Sequence, residues 1–285
     1  MSSSGSGFKR MVVGLPHGSA GRAAVDAAVD LAEFLNIELL ATFIADAALP
    51  ALAGLSAVRE LRALEEGWQA IDSAQITRDI DRAIGAARQY FAESIKGRSI
   101  KTGFDVLTDA EAIATLIRSD DIVAIIEPGH PGERITRQFT GLLEAAFEAA
   151  GAVLALPTRI ARTRGPIVVI ASDSQDAGIR TALDIAAALK EPLIVVTAAD
   201  AALPTGLLAE AQQLGVRVEL TDASLLTAGR LHERLRVLTR SALTESTTQL
   251  FSSLQGVPLL VIEAGRAGAA VDRKTGEDHQ SGQQG

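Results

Sequence analysis

Two short stretches of the chain carry residue types that can hold an anion. One is Pro16, His17, Gly18 and Ser19; the other is Gly129, His130, Pro131 and Gly132. Glycine has no Cβ, so its backbone can approach a bound group and turn N–H groups toward it. A helix starting just beyond such a turn adds positive potential from its own unpaired N–H groups. Each stretch also carries a histidine, whose ring N–H donates more strongly to an anion once protonated, near a reference pKa of about 6.5. Glu127 stands beside the second stretch, where it can orient a ring. The plainer reading is that Gly129 and Gly132 permit a tight turn around Pro128 and Pro131, with both histidines as exposed loop residues. A catalytic reading has less support. Ser19, His17 and Asp46 form a serine–histidine–acid set on paper, but no G-x-S-x-G elbow presents the serine. Two histidines without further ligands also leave a tetrahedral metal shell half filled.

The elements that must position these stretches are written twice. The hexapeptide Ala-Asp-Ala-Ala-Leu-Pro occupies positions 45–50 and returns at 199–204, a shift of 154. The preceding segment keeps that shift: Val25, Ala28, Val29, Ala32 and Leu35 are reproduced by Ile179, Ala182, Leu183, Ala186 and Leu189. This spacing puts one apolar stripe on a helix that faces a sheet. Apolar runs at 11–15, 38–44, 104–107, 122–126 and 152–156 read as buried parallel strands, alternating with helical patterns. The second half repeats the series at 167–171, 193–197, 216–220, 235–238 and 258–262, with helices near 177–189, 206–214, 225–234 and 245–254. Alternation of strand and helix predicts an α/β fold with right-handed crossovers and five strands per copy. In such sheets the ligand crevice lies at the carboxyl ends of strands where strand order reverses, which points at the loops after strands 1 and 4. Both histidine-bearing turns fall there. Ser19 is the expected cap of the first helix.

The copies differ where a site would be. Val12 matches Val168 at a shift of 156 while the following helices match at 154, so the first turn is longer in copy one. Leu107 matches Leu220 at 113, which assigns copy one 41 additional residues between strands 2 and 3. Gly151 matches Gly256 at 105, marking a third insertion after strand 4. Two of the three insertions lie in site loops, so copy one is the half expected to bind, with one ligand per chain. The large insertion reads as mostly helical, with stripes at Val58, Leu61 and Leu64 and at Ile76, Ile80, Ile84, Ala87 and Phe91. Those stripes need a partner surface, either as a lid over the site or as a dimer interface.

The organisation expected is a flexible 1–9, a first domain at 10–160 with a helical insertion at 51–98, and a linker at 161–165. A degenerate second domain at 166–264 and a disordered tail at 265–285 follow. A net charge of −8 is the wrong sign for a nucleic-acid footprint. The absence of cysteine excludes disulfides, thiolate zinc and thiol nucleophiles. No apolar run approaches the ~20 residues of a membrane helix, and the first residues lack the apolar core of a signal peptide. A soluble, cytoplasmic protein without nucleic-acid or membrane partners is expected. Arg134 and Arg137 are candidate phosphate contacts; as outer-face arginines they are equally read as solvated. Asp46 and Asp200 end strand 2 in both copies and read as turn formers. Trp68 and Tyr90 read as packing residues.

The strand, short Gly-Ser turn, helix and acidic-ended second strand, followed by Gly129 and Gly132 after strand 4, resemble the universal stress protein family. The resemblance spans about residues 10–264 as a tandem pair. It implies two Rossmann-like domains of the adenine nucleotide alpha hydrolase type, each a five-stranded parallel sheet of order 3-2-1-4-5. It also implies an ATP or AMP site in the first domain. The family pattern G-x2-G-x9-G-[ST] is met by Gly129 and Gly132. Gly141 comes after eight residues rather than nine and is followed by Leu142, with Thr140 standing before it. Pro16 and His17 stand where nucleotide-binding members carry an aspartate. Copy two has Ser172, Asp173 and Ser174 at that place, and no Gly-x2-Gly follows Leu238. The expected ligand-binding residues are His17, Gly18, Ser19, Ala45, Gly129, His130, Gly132, Thr140 and Gly141. The expected function is non-catalytic binding or sensing of an adenine nucleotide or small anion in a stress response. The alternative is a nucleotide-independent scaffold contacting a second copy or another protein.

Overall fold

The computed structural model describes residues 7–15, 21–45, 48–53, 55, 59–61, 68–70, 72–108, 112–128, 137–197, 203–222, 231–243 and 254–263. The first half runs β1 (Arg10–Gly14), α1 (Arg22–Leu35), β2 (Glu38–Ile44), α2 (Ala48–Ala53), β3 (Arg59–Leu61), β4 (Trp68–Ala70) and α3 (Ser73–Ser94). It continues with β5 (Thr102–Leu107), α4 (Ala112–Leu116), β6 (Asp121–Ile126), α5 (Arg137–Ala149) and β7 (Ala152–Leu156). The second half has β8 (Ile167–Ile170), α6 (Ala177–Leu189), β9 (Leu193–Thr197), α7 (Leu207–Leu214), β10 (Val218–Asp222), β11 (Leu235–Thr239) and β12 (Leu259–Ile262). A 3-10 turn follows β11 at Arg240–Ala242.

Ten of these strands form one sheet, in the order β10-β9-β8-β11-β12-β7-β6-β1-β2-β5. Read inward from either edge, each half has the predicted 3-2-1-4-5 order, parallel throughout. The halves meet where the fifth strands pair antiparallel, with Leu260 opposite Leu154 and Val261 opposite Val153. An antiparallel junction between equivalent strands relates the halves by a pseudo-twofold axis normal to the sheet. Their ligand crevices therefore open at opposite ends of the strands.

Alternation along the strands divides the core between two faces. Met11, Val13, Leu39, Ala41, Leu154 and Val169 face one way, under α1, α3, α6 and α7, in a single apolar cluster that crosses the junction. Val12, Val123, Ile125 and Val153 face the other way, under α4 and α5. The repeated stripe behaves as its spacing predicts. Val25, Ala28, Val29 and Ala32 are buried on α1, and their counterparts from Ile179 to Leu189 are buried on α6. At one end of the sheet, the Arg10 guanidinium and the fully buried Asp121 carboxylate pair through two hydrogen bonds (3.1 and 2.6 Å). Arg10 also donates to the Leu116 carbonyl, and the Arg118 N–H donates to Asp121.

The large insertion differs from the helical reading. Between the short α2 and the long α3 the chain forms a two-stranded hairpin, β3 paired antiparallel with β4, so Leu61 lies on a strand. Three apolar residues spaced by three do not separate a helix from an extended run. The α3 stripe is real, yet only Phe91 on it is buried. The helix serves as the β2-to-β5 crossover, lying against β2 and α1. Phe91 meets Phe104 of β5 at 6.4 Å between ring centroids, and Asp72 caps the helix start by accepting from the Ala74 and Gln75 N–H groups. In the second half, residues 231–234 lead into β11 without a helix. The remainder of the helices read at 225–234 and 245–254 lies outside the described residues, apart from Leu254, as do 1–6 and 264–285.

Candidate functional site

The first crevice opens at the carboxyl ends of β1 and β6, which are neighbours in register. Backbone bonds extend the ladder past the strand ends and fix the loop bases. Leu15 N–H donates to Thr42 O (2.8 Å), Ala45 N–H to Leu107 O (2.7 Å) and Glu127 N–H to Leu156 O (2.7 Å). The N-cap of α1 is Gly21 rather than Ser19. Its φ of 84° lies in the left-handed region that glycine adopts without strain, and it has no side chain to cap with. The first turn of α1 is held instead from α3. The single Tyr90 hydroxyl proton is shared between Arg22 O (2.8 Å) and Asp26 Oδ1 (3.1 Å), while the Arg22 guanidinium lies over the Tyr90 ring at 4.6 Å. Burial raises the Tyr90 hydroxyl pKa above its ordinary value, so the group stays a donor.

Of the residues read from the sequence, Ala45 sits half-buried at the end of β2. Thr140 closes the first turn of α5 and Gly141 opens the second, where an added Cβ would meet nothing within 4 Å. The Glu127 carboxylate accepts from the Thr158 N–H (3.3 Å), toward the end of β7. His17, Gly18, Ser19, Gly129, His130 and Gly132 lie outside the described residues, as do Asp46, Arg134 and Asp200.

At the equivalent strand ends of the second half, one carboxylate holds the described loop bases together. Asp176 caps α6 by accepting from Gly178 N–H (2.8 Å), and its other oxygen accepts from Ser172 N–H (2.9 Å) and the Thr239 hydroxyl (3.2 Å). One carboxylate thus ties the loop after β8, the start of α6 and the end of β11 together. The Thr239 and Ser241 hydroxyls lie 3.1 Å apart beside it. Asp173, the acid singled out from the sequence, only closes its own turn by accepting from Gln175 N–H. Asp176 itself had a legible signal: an aspartate immediately before an apolar helical stripe is a strong cap. In the register set by the helix stripes it matches Arg22 of copy one. The charge at the start of the first helix is therefore reversed between the halves.

No family model matches the chain, and no curated protein does. Among solved structures, a universal stress protein from Archaeoglobus fulgidus DSM 4304 superposes with a TM-score of 0.59 at 13% identity. The match covers 90% of this chain and 96% of that one. PA1789, a functionally unknown protein from Pseudomonas aeruginosa PAO1, matches over 97% of this chain and 100% of that one, at 18% identity and a TM-score of 0.48. The first match extends over both halves. The fold is that of a universal stress protein, an α/β Rossmann-like sheet present twice in one chain. No helix among the described residues is long and apolar enough to cross a membrane.

Proposed function

We propose that this chain acts as a universal stress protein in the cytoplasm, and that its first half binds one adenine nucleotide, or a smaller anion of that kind, without chemistry. The observation that carries the reading is the contrast between the two crevices. In the second, the Asp176 carboxylate already accepts Gly178 N–H at the start of α6 and Ser172 N–H of the loop after β8, donors of the kind a bound phosphate would use. In the first, the matching position is Arg22 and the cap is a glycine, so no carboxylate of the cap opposes an anion there. The glycine and histidine turns at 16–19 and 129–132 are the expected donors.

The test is calorimetric titration of the full chain with ATP and AMP, together with release and identification of any nucleotide carried through purification. The expected result is one site per chain, with tighter binding below about pH 6.5 that is lost in His17→Ala and His130→Ala. Two equivalent sites would overturn the assignment to the first half. No heat and no copurified ligand would leave the scaffold reading. One observation favours that second reading: the β7–β12 junction already joins the two halves as a pair of domains would join, and their cores are continuous.

A further inference from the structure

Apart from both crevices, a cleft of about 220 Å³ lies where the two halves meet, on the face of the sheet that carries α1 and α6. Its apolar lining comes from both halves: Leu31 of α1, Leu154 and Leu156 of β7, Leu189 at the end of α6, and Leu235 and Pro258. The connection between the halves forms part of the wall through Ile160, Arg162 and Thr163. That connection is fixed in place rather than loose. Ala161 N–H donates to Gly256 O (2.8 Å), Gly165 N–H to Glu191 Oε1 (3.3 Å) and Arg234 N–H to Pro166 O (3.0 Å). At Gly165, with φ of 133°, a Cβ would come within 2.5 Å of His232 O.

Four charged side chains line the cleft, and their pairing is unequal. The two carboxylates are already served by α3 and the turn after it: Asp26 accepts from the Tyr90 hydroxyl, and Asp30 is bound by the Arg98 guanidinium. The two arginines are not matched in this way. Arg162 meets the His232 ring nitrogen at 2.7 Å and pairs with no carboxylate among the described residues. The Arg234 side chain is only 16% exposed, and its carboxylate partner, Glu191, stands at 4.0 Å, beyond hydrogen-bond reach. Its guanidinium lies over the Phe34 ring at 5.6 Å, and burial lowers its pKa against the opposing charges of Glu191 and Asp30, neither of which hydrogen-bonds it. A half-buried guanidinium short of oxygen acceptors, above an apolar floor, is complementary to a carboxylate on an apolar tail.

We propose that this cleft binds a small amphipathic carboxylate, its head group on Arg234 and Arg162 and its apolar body against Leu154, Leu156 and Leu189. At ~30 Å³ per water the volume equals about seven waters, which suits a body of roughly eight carbons. This proposal does not rest on nucleotide binding, since neither Arg162 nor Arg234 is among the residues expected to hold a nucleotide.

The test is calorimetric titration of the full chain with octanoate, and with octanol and octylamine for comparison. Octanoate should bind saturably at one site per chain, more tightly than either comparison ligand. Arg234→Gln and the exposed Arg162→Gln should each weaken octanoate at least tenfold and leave octanol unchanged. Leu156→Trp should abolish binding of both by filling the floor. Arg180→Gln, on the outer side of α6, should change nothing. Circular dichroism melts show that each variant is folded, and the Arg162 variant, at the surface, guards against a fold defect at Arg234. Absence of saturable binding, octylamine binding more tightly than octanoate, or octanoate binding unaffected by Leu156→Trp would each overturn the proposal.

Discussion

Replacing Asp176 tests how much of the second half's order rests on one carboxylate. The Asp176→Ala variant loses the cap of α6, a change that costs about 1 kcal/mol in typical helices. It also loses the bond from Ser172 N–H, another ~1 kcal/mol for a charge-assisted acceptor. The Thr239 hydroxyl, on a residue 2% exposed, keeps Ser241 as a neighbour, so its loss adds only about 0.5 kcal/mol. The expected total is about 2–3 kcal/mol, read as a shift in urea midpoint at constant slope. The corresponding fall in Tm is about 4–6 °C for a chain of this length. Asp176→Asn keeps an acceptor for Gly178 but turns an amide donor toward Ser172 N–H, so it should cost about half as much. A loss below about 0.5 kcal/mol for the alanine variant would refute the reasoning, as would equal losses for alanine and asparagine.

Other perturbations probe the frame around the sites. Arg10→Met should destabilise by about 3–5 kcal/mol in urea unfolding, because it strands the buried Asp121 charge, and Arg10→Met/Asp121→Leu should recover a large part of that. Gly165→Ala should cost on the order of 1–3 kcal/mol, since no shift of a side-chain tip relieves contact with a backbone carbonyl. Burial raises the Asp184 pKa to about 6, with Arg180 opposing and Glu210 adding to the shift. A carboxyl that holds its proton more tightly when folded makes folding less favourable as pH rises from about 4 to about 6. Asp184→Asn should therefore be more stable than the natural chain above pH 6, with the advantage gone below about pH 4. A pH-independent difference between the two would contradict that sign.

The repeat made the architecture legible because it supplied two independent readings of each element. Five apolar runs at matching positions in two copies gave the strand count, the family resemblance implied their order, and the α1 and α6 stripes marked the face each helix buries. Periodicity failed where a segment is short and lies at the margin of the core. At 58–64 three apolar residues suited a helix, yet Leu61 belongs to a three-residue strand whose pairing with β4 is set across the intervening turn. The site was only half legible for a related reason. A glycine turn and a histidine announce themselves by residue type, and those turns at 16–19 and 129–132 lie outside the described residues. Asp176 acts through three partners separated by up to 63 positions in sequence. Only the fold brings Ser172, Gly178 and Thr239 around it.

A tandem chain can do what a symmetric pair cannot, and the differences here fall in places that use that freedom. In a pair of identical subunits a change at the start of the first helix appears twice. Here Arg22 and Asp176 occupy matched positions with opposite charge, so the two crevices differ at their helix starts. The junction follows the same logic. The segment joining β7 to β8 runs along one side of the pseudo-twofold axis only, and it brings Ile160, Arg162 and Thr163 into the wall of the cleft. Duplication thus yields different environments from one repeated unit: a first-half crevice, a second-half crevice with Asp176 at its helix start, and a cleft at the junction.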